Sequence, residues 1–167
     1  TEGLYMTLAI DAKEERDVAT ADVAGAYLKA DMNDLVHLKF TGKMVDYVVS
    51  ANKQRYEKYV THEGKMKVLY TKLTKALYGC IQSALLWYNV FSGFLVEQGF
   101  KINPLDNCVA NKTINGKQCT ICWYVDDLKI SHVDHKVVST LIKIIESKFG
   151  KMNVVRGKHH VYIGVDI

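Results

Sequence analysis

Two adjacent carboxylates set inside apolar strand text constrain this chain more than any other feature. In Trp123-Tyr124-Val125-Asp126-Asp127-Leu128-Lys129 the acidic pair is flanked by Ile121, Trp123, Val125, Leu128 and Ile130. Burying two unpaired carboxylates is very costly, so the text demands a bend between two strands with a cation beside it. A divalent ion held by hard oxygen ligands meets that demand, and Mg²⁺ takes one or two carboxylates together with substrate phosphates. A third carboxylate on a neighbouring strand would complete such a site. Asp22 is the candidate: it closes a strand predicted over Val18–Val23, and the small residues Ala24, Gly25 and Ala26 after it leave room for a ligand.

Around this bend, helical and strand periodicities alternate. Leu4, Leu8 and Ala12 recur every four residues and predict a short amphipathic helix over 3–14. Val36-His37-Leu38-Lys39-Phe40 alternates apolar with polar, as a half-buried strand does. Leu86, Val90 and Phe94, widened by Trp87, Phe91 and Leu95, predict a core helix from Ser83 to Gln98 that Gly99 stops. Cys108–Asn111 and Gln118–Val125 read as strands joined through Thr113-Ile114-Asn115-Gly116, because Asn-Gly suits the positive φ of a tight hairpin. A second bend falls at Asp126-Asp127. His135–Phe149 is a helix with Val138, Leu141, Ile142, Ile145 and Phe149 on one face, and Val161–Ile167 alternates again as a closing strand. Helices and strands interleave without a strict βαβ rhythm. The expected fold is α+β, an antiparallel sheet with helices packed on one face.

The stretch 41–67 is charged and aperiodic, with Lys43, Lys53, Arg55, Lys58, Lys65 and Lys67 set among Tyr47, Tyr56 and Tyr59. A solvated excursion with a short helix is expected there; the alternative is a basic, aromatic surface for a nucleic acid strand. The chain is 49% hydrophobic over 167 residues, which excludes disorder, and its one Pro and 11 Gly leave no linker of the usual composition. A single domain over 1–167 follows. The 22 Lys plus Arg against 18 Asp plus Glu give a charge of +4, which tolerates a polyanion without naming one. No apolar run approaches the roughly 20 residues that cross a bilayer, so no membrane partner is expected. Thr1–Glu14 reads as neither signal peptide nor native start, which suggests a fragment. Four cysteines are too few for a disulfide scaffold and suggest a reducing compartment. Cys119-Thr120-Ile121-Cys122 has half of a zinc spacing, yet in a strand its thiols point to opposite faces and no second pair matches it. The pairs His159-His160 and His132 with His135 also lack partner ligands, and no phosphate-binding glycine loop or esterase elbow is present.

Two metal ions held by such carboxylates activate an attacking 3′-hydroxyl and stabilise leaving pyrophosphate, which is polymerase chemistry. At these residues a specific resemblance appears. Asp22-Val23-Ala24-Gly25-Ala26-Tyr27-Leu28 resembles the first catalytic motif of copia-type LTR retrotransposon reverse transcriptases, and Tyr124-Val125-Asp126-Asp127 is similar to their aromatic-x-Asp-Asp motif. Leu77-Tyr78-Gly79-Cys80-Ile81-Gln82 with Trp87-Tyr88 resembles the family's Leu-Tyr-Gly-x-x-Gln segment and the Trp-Tyr behind it. Gly99-Phe100, Asp106-Asn107-Cys108 and Tyr162-Ile163-Gly164-Val165-Asp166-Ile167 are similar to its later text, so the likeness runs in order over nearly the whole chain.

The resemblance implies a reverse-transcriptase-like palm acting as an RNA-directed DNA polymerase, with RNA template, DNA primer and dNTPs as partners and two Mg²⁺ ions, or Mn²⁺, as cofactors. It implies Asp22, Asp126 and Asp127 as catalytic metal ligands, with the Val23 carbonyl as an extra ligand. Tyr27 would lie under the dNTP sugar or pack in the core, and the two roles are compatible. Tyr78, Gly79, Gln82 and Tyr124 would lie near the nascent base pair or template, and Lys129 either touches the primer backbone or is a surface lysine. Fingers, thumb, RNase H and integrase would belong to the rest of a pol polyprotein, in a cytoplasmic particle or the nucleus. Two departures stand out: Ser83-Ala84-Leu85 where the family has Ala-Pro-Arg, and Lys29-Ala30 where it has Asn-Gly. The first favours the rival reading, a catalytically inactive relic that keeps the fold and nucleic-acid binding, and the second reads as a longer or drifted turn. A nucleotidyl cyclase is disfavoured by the Leu-Tyr-Gly-x-x-Gln segment.

Overall fold

The computed structural model describes residues 2–167. In chain order the elements are α1 (Glu2–Lys13), β1 (Asp17–Asp22), β2 (His37–Thr41), α2 (Lys43–Ala51), α3 (Lys53–Tyr56), β3 (Thr61–Glu63), β4 (Met66–Lys72), α4 (Ser83–Glu97), β5 (Lys101–Ile102), β6 (Val109–Ile114), β7 (Lys117–Tyr124), β8 (Asp127–His132), α5 (His135–Phe149), β9 (Asn153–Arg156), β10 (Val161–Tyr162) and β11 (Val165–Asp166). The fold is mixed α/β with antiparallel sheets. A six-stranded sheet runs β5-β6-β7-β8-β1-β9, beside a three-stranded β2-β4-β3 sheet and the β10-β11 hairpin.

Strand alternation divides the large sheet into two buried faces. On one face Ala19, Ala21, Ile121, Trp123, Leu128 and Ile130 meet Trp87, Phe91 and Phe94 of α4 and Val138, Leu141, Ile145 and Phe149 of α5. The aromatic rings lock edge to face, with Phe149 5.2 Å from Trp87 and 5.1 Å from Phe94. The other face is also covered: Leu4 of α1 and Tyr162 of β10 pack on Val109 and Cys122. Helices therefore lie on both faces, and the expectation of one helical face is corrected. Too few apolar residues line α1 to mark its side, because its buried positions include Thr7 and Asp11.

Two further differences, at the closing strand and the acidic bend, have local causes. The closing strand expected over Val161–Ile167 is a hairpin, because Ile163 (φ +52) and Gly164 (φ +73) turn the chain between its halves. The 41–67 excursion carries the expected short helix as α2, which buries Val45, and adds α3 and β3, the latter paired with β4. The acidic bend lies one residue early: Val125 and Asp126 make the turn, and Asp127 already begins β8. His132 ends β8 while His135 opens α5, so they share no helix face. The Asn115-Gly116 turn forms as expected, with φ +52 and +74. No helix among the described residues is long and apolar enough to cross a membrane.

Candidate catalytic carboxylate site

The central strands β1 and β8 bring the acidic residues together. Register places Asp22 opposite Asp127, and Tyr124 opposite Asp127 on its other side. Beyond the end of β1, the Val23 N–H donates to the Asp126 carbonyl at 2.9 Å, tying the β7–β8 turn to the first strand. Val125 holds φ +56 at the first turn position, where a β-branched residue is strained and Gly is usual. Its carbonyl accepts from Trp87 Nε1 at 2.6 Å, so the core helix α4 supports the turn from below.

Electrostatics mark this end of the sheet. Burial, then the Asp126 and Asp22 carboxylates, push the Asp127 carboxyl above the usual carboxylate range. Among the described residues none of the three makes an ion pair with Lys, Arg or His. The donor set, three carboxylates with no cationic partner, suits a divalent cation. Its arrangement does not yet close around one, since no group of three metal-ligating side chains is gathered among the described residues. Asp126 is engaged elsewhere: Tyr78 Oη donates to its Oδ2 at 2.7 Å. Burial, and then this carboxylate, push the Tyr78 phenol well above the ordinary tyrosine range, so it stays a donor.

The other expected residues fall into three groups. Tyr27 is half-buried beside the acidic end and pairs with Tyr78, ring centroids 4.2 Å apart at 35°. Tyr124 is 58% exposed next to the turn, and Gly79 (φ +97) has open space around it. Gln82 lies across a separate contact, its Nε2 donating to Asp34 at 3.0 Å. Lys129 is the correction. It is fully buried on the α1 side of β8, ion-paired with Asp11, so it is neither a surface lysine nor within reach of a primer. Strand alternation places it on the same face as Asp127, but two residues further in, where α1 covers the sheet.

Sequence reasoning left the Trp87 support, the Tyr78 contact and the Asp11–Lys129 pair unread. Trp87 and Tyr78 stood in recognised motifs, but no spacing rule says what an indole N–H or a phenol will bond. Ser83 had one signal, its departure from the family's Ala. Its hydroxyl accepts from the Leu77 N–H at 3.0 Å and donates to the Leu77 carbonyl at 2.6 Å.

A family model described as reverse transcriptase (RNA-dependent DNA polymerase) matches residues 2–167. The truncated transposon Ty1-A Gag-Pol polyprotein of Saccharomyces cerevisiae is 27% identical over 148 residues, covering 86% of this chain and 10% of that protein. The transposon Ty1-DR5 and Ty1-LR2 Gag-Pol polyproteins of the same yeast are also 27% identical over 148 residues, covering 86% of this chain and 7% of each. The chain thus spans a tenth or less of the length of these relatives. No solved structure matches it.

Proposed function

The chain belongs to the reverse transcriptase (RNA-dependent DNA polymerase) family, in its copia-type retrotransposon branch, and from that premise we propose that it is the palm domain, over residues 1–167, of an RNA-directed DNA polymerase. One observation carries the reading: Asp22, Asp126 and Asp127 converge at one end of the sheet, uncompensated by any cation of the described residues. The family uses divalent metal ions. Here Asp22, Asp126 and Asp127, with the Val23 carbonyl, would hold two Mg²⁺ ions, Mn²⁺ substituting. Bound there, such ions supply Lewis-acid activation of a primer 3′-hydroxyl and neutralise charge on the leaving pyrophosphate.

The chain's own residues do the positioning. Asp22 and Asp127 present carboxylates from neighbouring strands, so their separation is fixed by the ladder rather than by a loop. Trp87 holds the strained turn that carries Asp126. Tyr27, packed beneath the site and against Tyr78, offers a flat ring under a dNTP sugar. Gly79, Tyr124 and Gln82 line the approach for the base pair and the RNA template. The partners are an RNA template, a DNA primer, dNTPs and the remaining parts of a pol polyprotein, in a cytoplasmic particle.

Primer extension tests this. The chain joined to fingers and thumb segments should extend a DNA primer on RNA with dNTPs and Mg²⁺ or Mn²⁺, and Asp126→Asn plus Asp127→Asn should abolish extension. A folded parent that binds primer–template yet stays silent selects the relic reading. One observation favours that rival: Leu85, 63% exposed, offers no cation where the family pattern has Arg.

A further inference from the structure

We propose that Tyr78 is a positioning residue that holds one carboxylate oxygen of Asp126 and must release it before a divalent ion is held. The inference rests on the metal reading above and adds a gate to it. Tyr78 Oη bonds Asp126 Oδ2 at 2.7 Å, and in that state the described residues gather no three-ligand cluster although Asp22 and Asp127 face each other across β1 and β8. A phenol donor and a cation compete for the same carboxylate oxygen.

The segment carrying Tyr78 is built to hold this pose and to leave it. The Cys80 N–H donates to the Leu77 carbonyl at 3.1 Å, which makes Leu77 to Cys80 a β-turn with Tyr78 at its second position and Gly79, φ +97, at its third. Gly79 has nothing within 4 Å of its missing Cβ, so the turn has room to move. Against this freedom, the buried Ser83 hydroxyl bonds both the N–H and the carbonyl of Leu77, and Tyr27 packs tilted against the Tyr78 ring. Ser83 thereby fixes the turn to the first residue of α4 and aims the phenol at Asp126. The ring is 52% exposed and lies over the acidic end, where an entering substrate would meet it first.

The test is Mn²⁺ binding to this chain, read by the electron paramagnetic resonance of the free ion, with circular dichroism confirming the fold. Tyr78→Phe keeps the ring and removes the competing donor, so it should bind Mn²⁺ tighter by about tenfold, or about 1.4 kcal/mol. Ser83→Ala should move affinity the same way by less. Asp126→Asn should weaken binding, and adding Tyr78→Phe to it should give no gain. A merely structural role predicts the opposite sign, since loosening the site would weaken binding. Unchanged or weaker binding by Tyr78→Phe, with Asp126→Asn still defective, overturns the gate and leaves the metal reading standing. Parent binding that is unaffected by Asp126→Asn, or absent in every variant, overturns the metal reading and the gate with it.

Discussion

Trp87 donates its indole N–H to the Val125 carbonyl at 2.6 Å, joining the middle of the aromatic core to the strained turn that carries Asp126. The same ring stacks on Phe91 at 5.4 Å and meets Phe149 edge-on. Trp87→Phe keeps much of that packing but leaves the carbonyl without its donor. Urea unfolding should show a loss of about 1–3 kcal/mol, the cost of an orphaned buried acceptor. A loss confined to a few tenths would mean water replaces the indole.

Asp127 links the site to pH. Its carboxyl is raised by burial and by Asp126 and Asp22, so between its ordinary and its raised value the folded chain holds a proton there that the unfolded chain has released. The group costs nothing below its ordinary value of 3.8, and stability falls as pH rises through the raised folded value. In EDTA near neutral pH, Asp127→Asn should therefore melt above the parent, and the gap should close below about pH 4. A variant that melts lower at neutral pH would show that the carboxylate is compensated after all.

Legibility followed the strength of local signals. The α4 and α5 helices were readable because Leu86, Phe94, Val138 and Ile145 keep helical spacing, and Asn115-Gly116 announced its turn by chemistry. The bend at the acidic end was readable because apolar strand text on both sides of Asp126-Asp127 leaves a turn between two strands as its economical fold. What escaped depended on contacts across long sequence separations. Thr7 and Asp11 of α1 face the sheet only because Cys122 and Lys129 offer partners there, more than a hundred residues away. The turn at Ile163-Gly164 was hidden in alternating text that suits one strand as well as a hairpin.

The Asp11–Lys129 pair anchors α1, with Arg16 reaching Asp11 at 3.7 Å and Thr120 at 3.0 Å. Removing Lys129 leaves the buried Asp11 carboxylate with only the more distant Arg16, so Lys129→Met should cost about 3 kcal/mol in urea unfolding. Replacing both, Lys129→Met with Asp11→Leu, should recover most of it, because the desolvation cost disappears with the pair. A double variant as unstable as the sum of the singles would mean that packing rather than charge sets the cost.

Cys119 and Cys122 point to opposite faces of β7, Cys119 into the main core and Cys122 toward Leu4 and Tyr162. Burial pushes the Cys119 thiol up to about 12 and raises Cys122 as well. Thiol labelling of the native chain near pH 8 should therefore reach Cys80 first and leave Cys119 unmodified until the chain unfolds. Zinc should neither protect the thiols nor raise the melting point; protection of Cys119 and Cys122 together would mean a rearranged strand.

Ala84 and Leu85 stand where the family pattern has Pro and Arg. Both side chains are exposed in the first turn of α4, where helix N–H groups have no intrahelical partner and Pro is tolerated. Ala84→Pro with Leu85→Arg should thus leave stability within about 0.5 kcal/mol of the parent or raise it slightly. The new guanidinium sits one helical turn from the segment that carries Tyr78 and Gln82. If this end faces the template, primer–template affinity should rise at low salt and the slope of log affinity against log salt should steepen by about one, the mark of one added phosphate contact. An unchanged slope in a folded variant would place the nucleic acid on another face of α4, and the loss of the family's Arg would then carry no cost for binding.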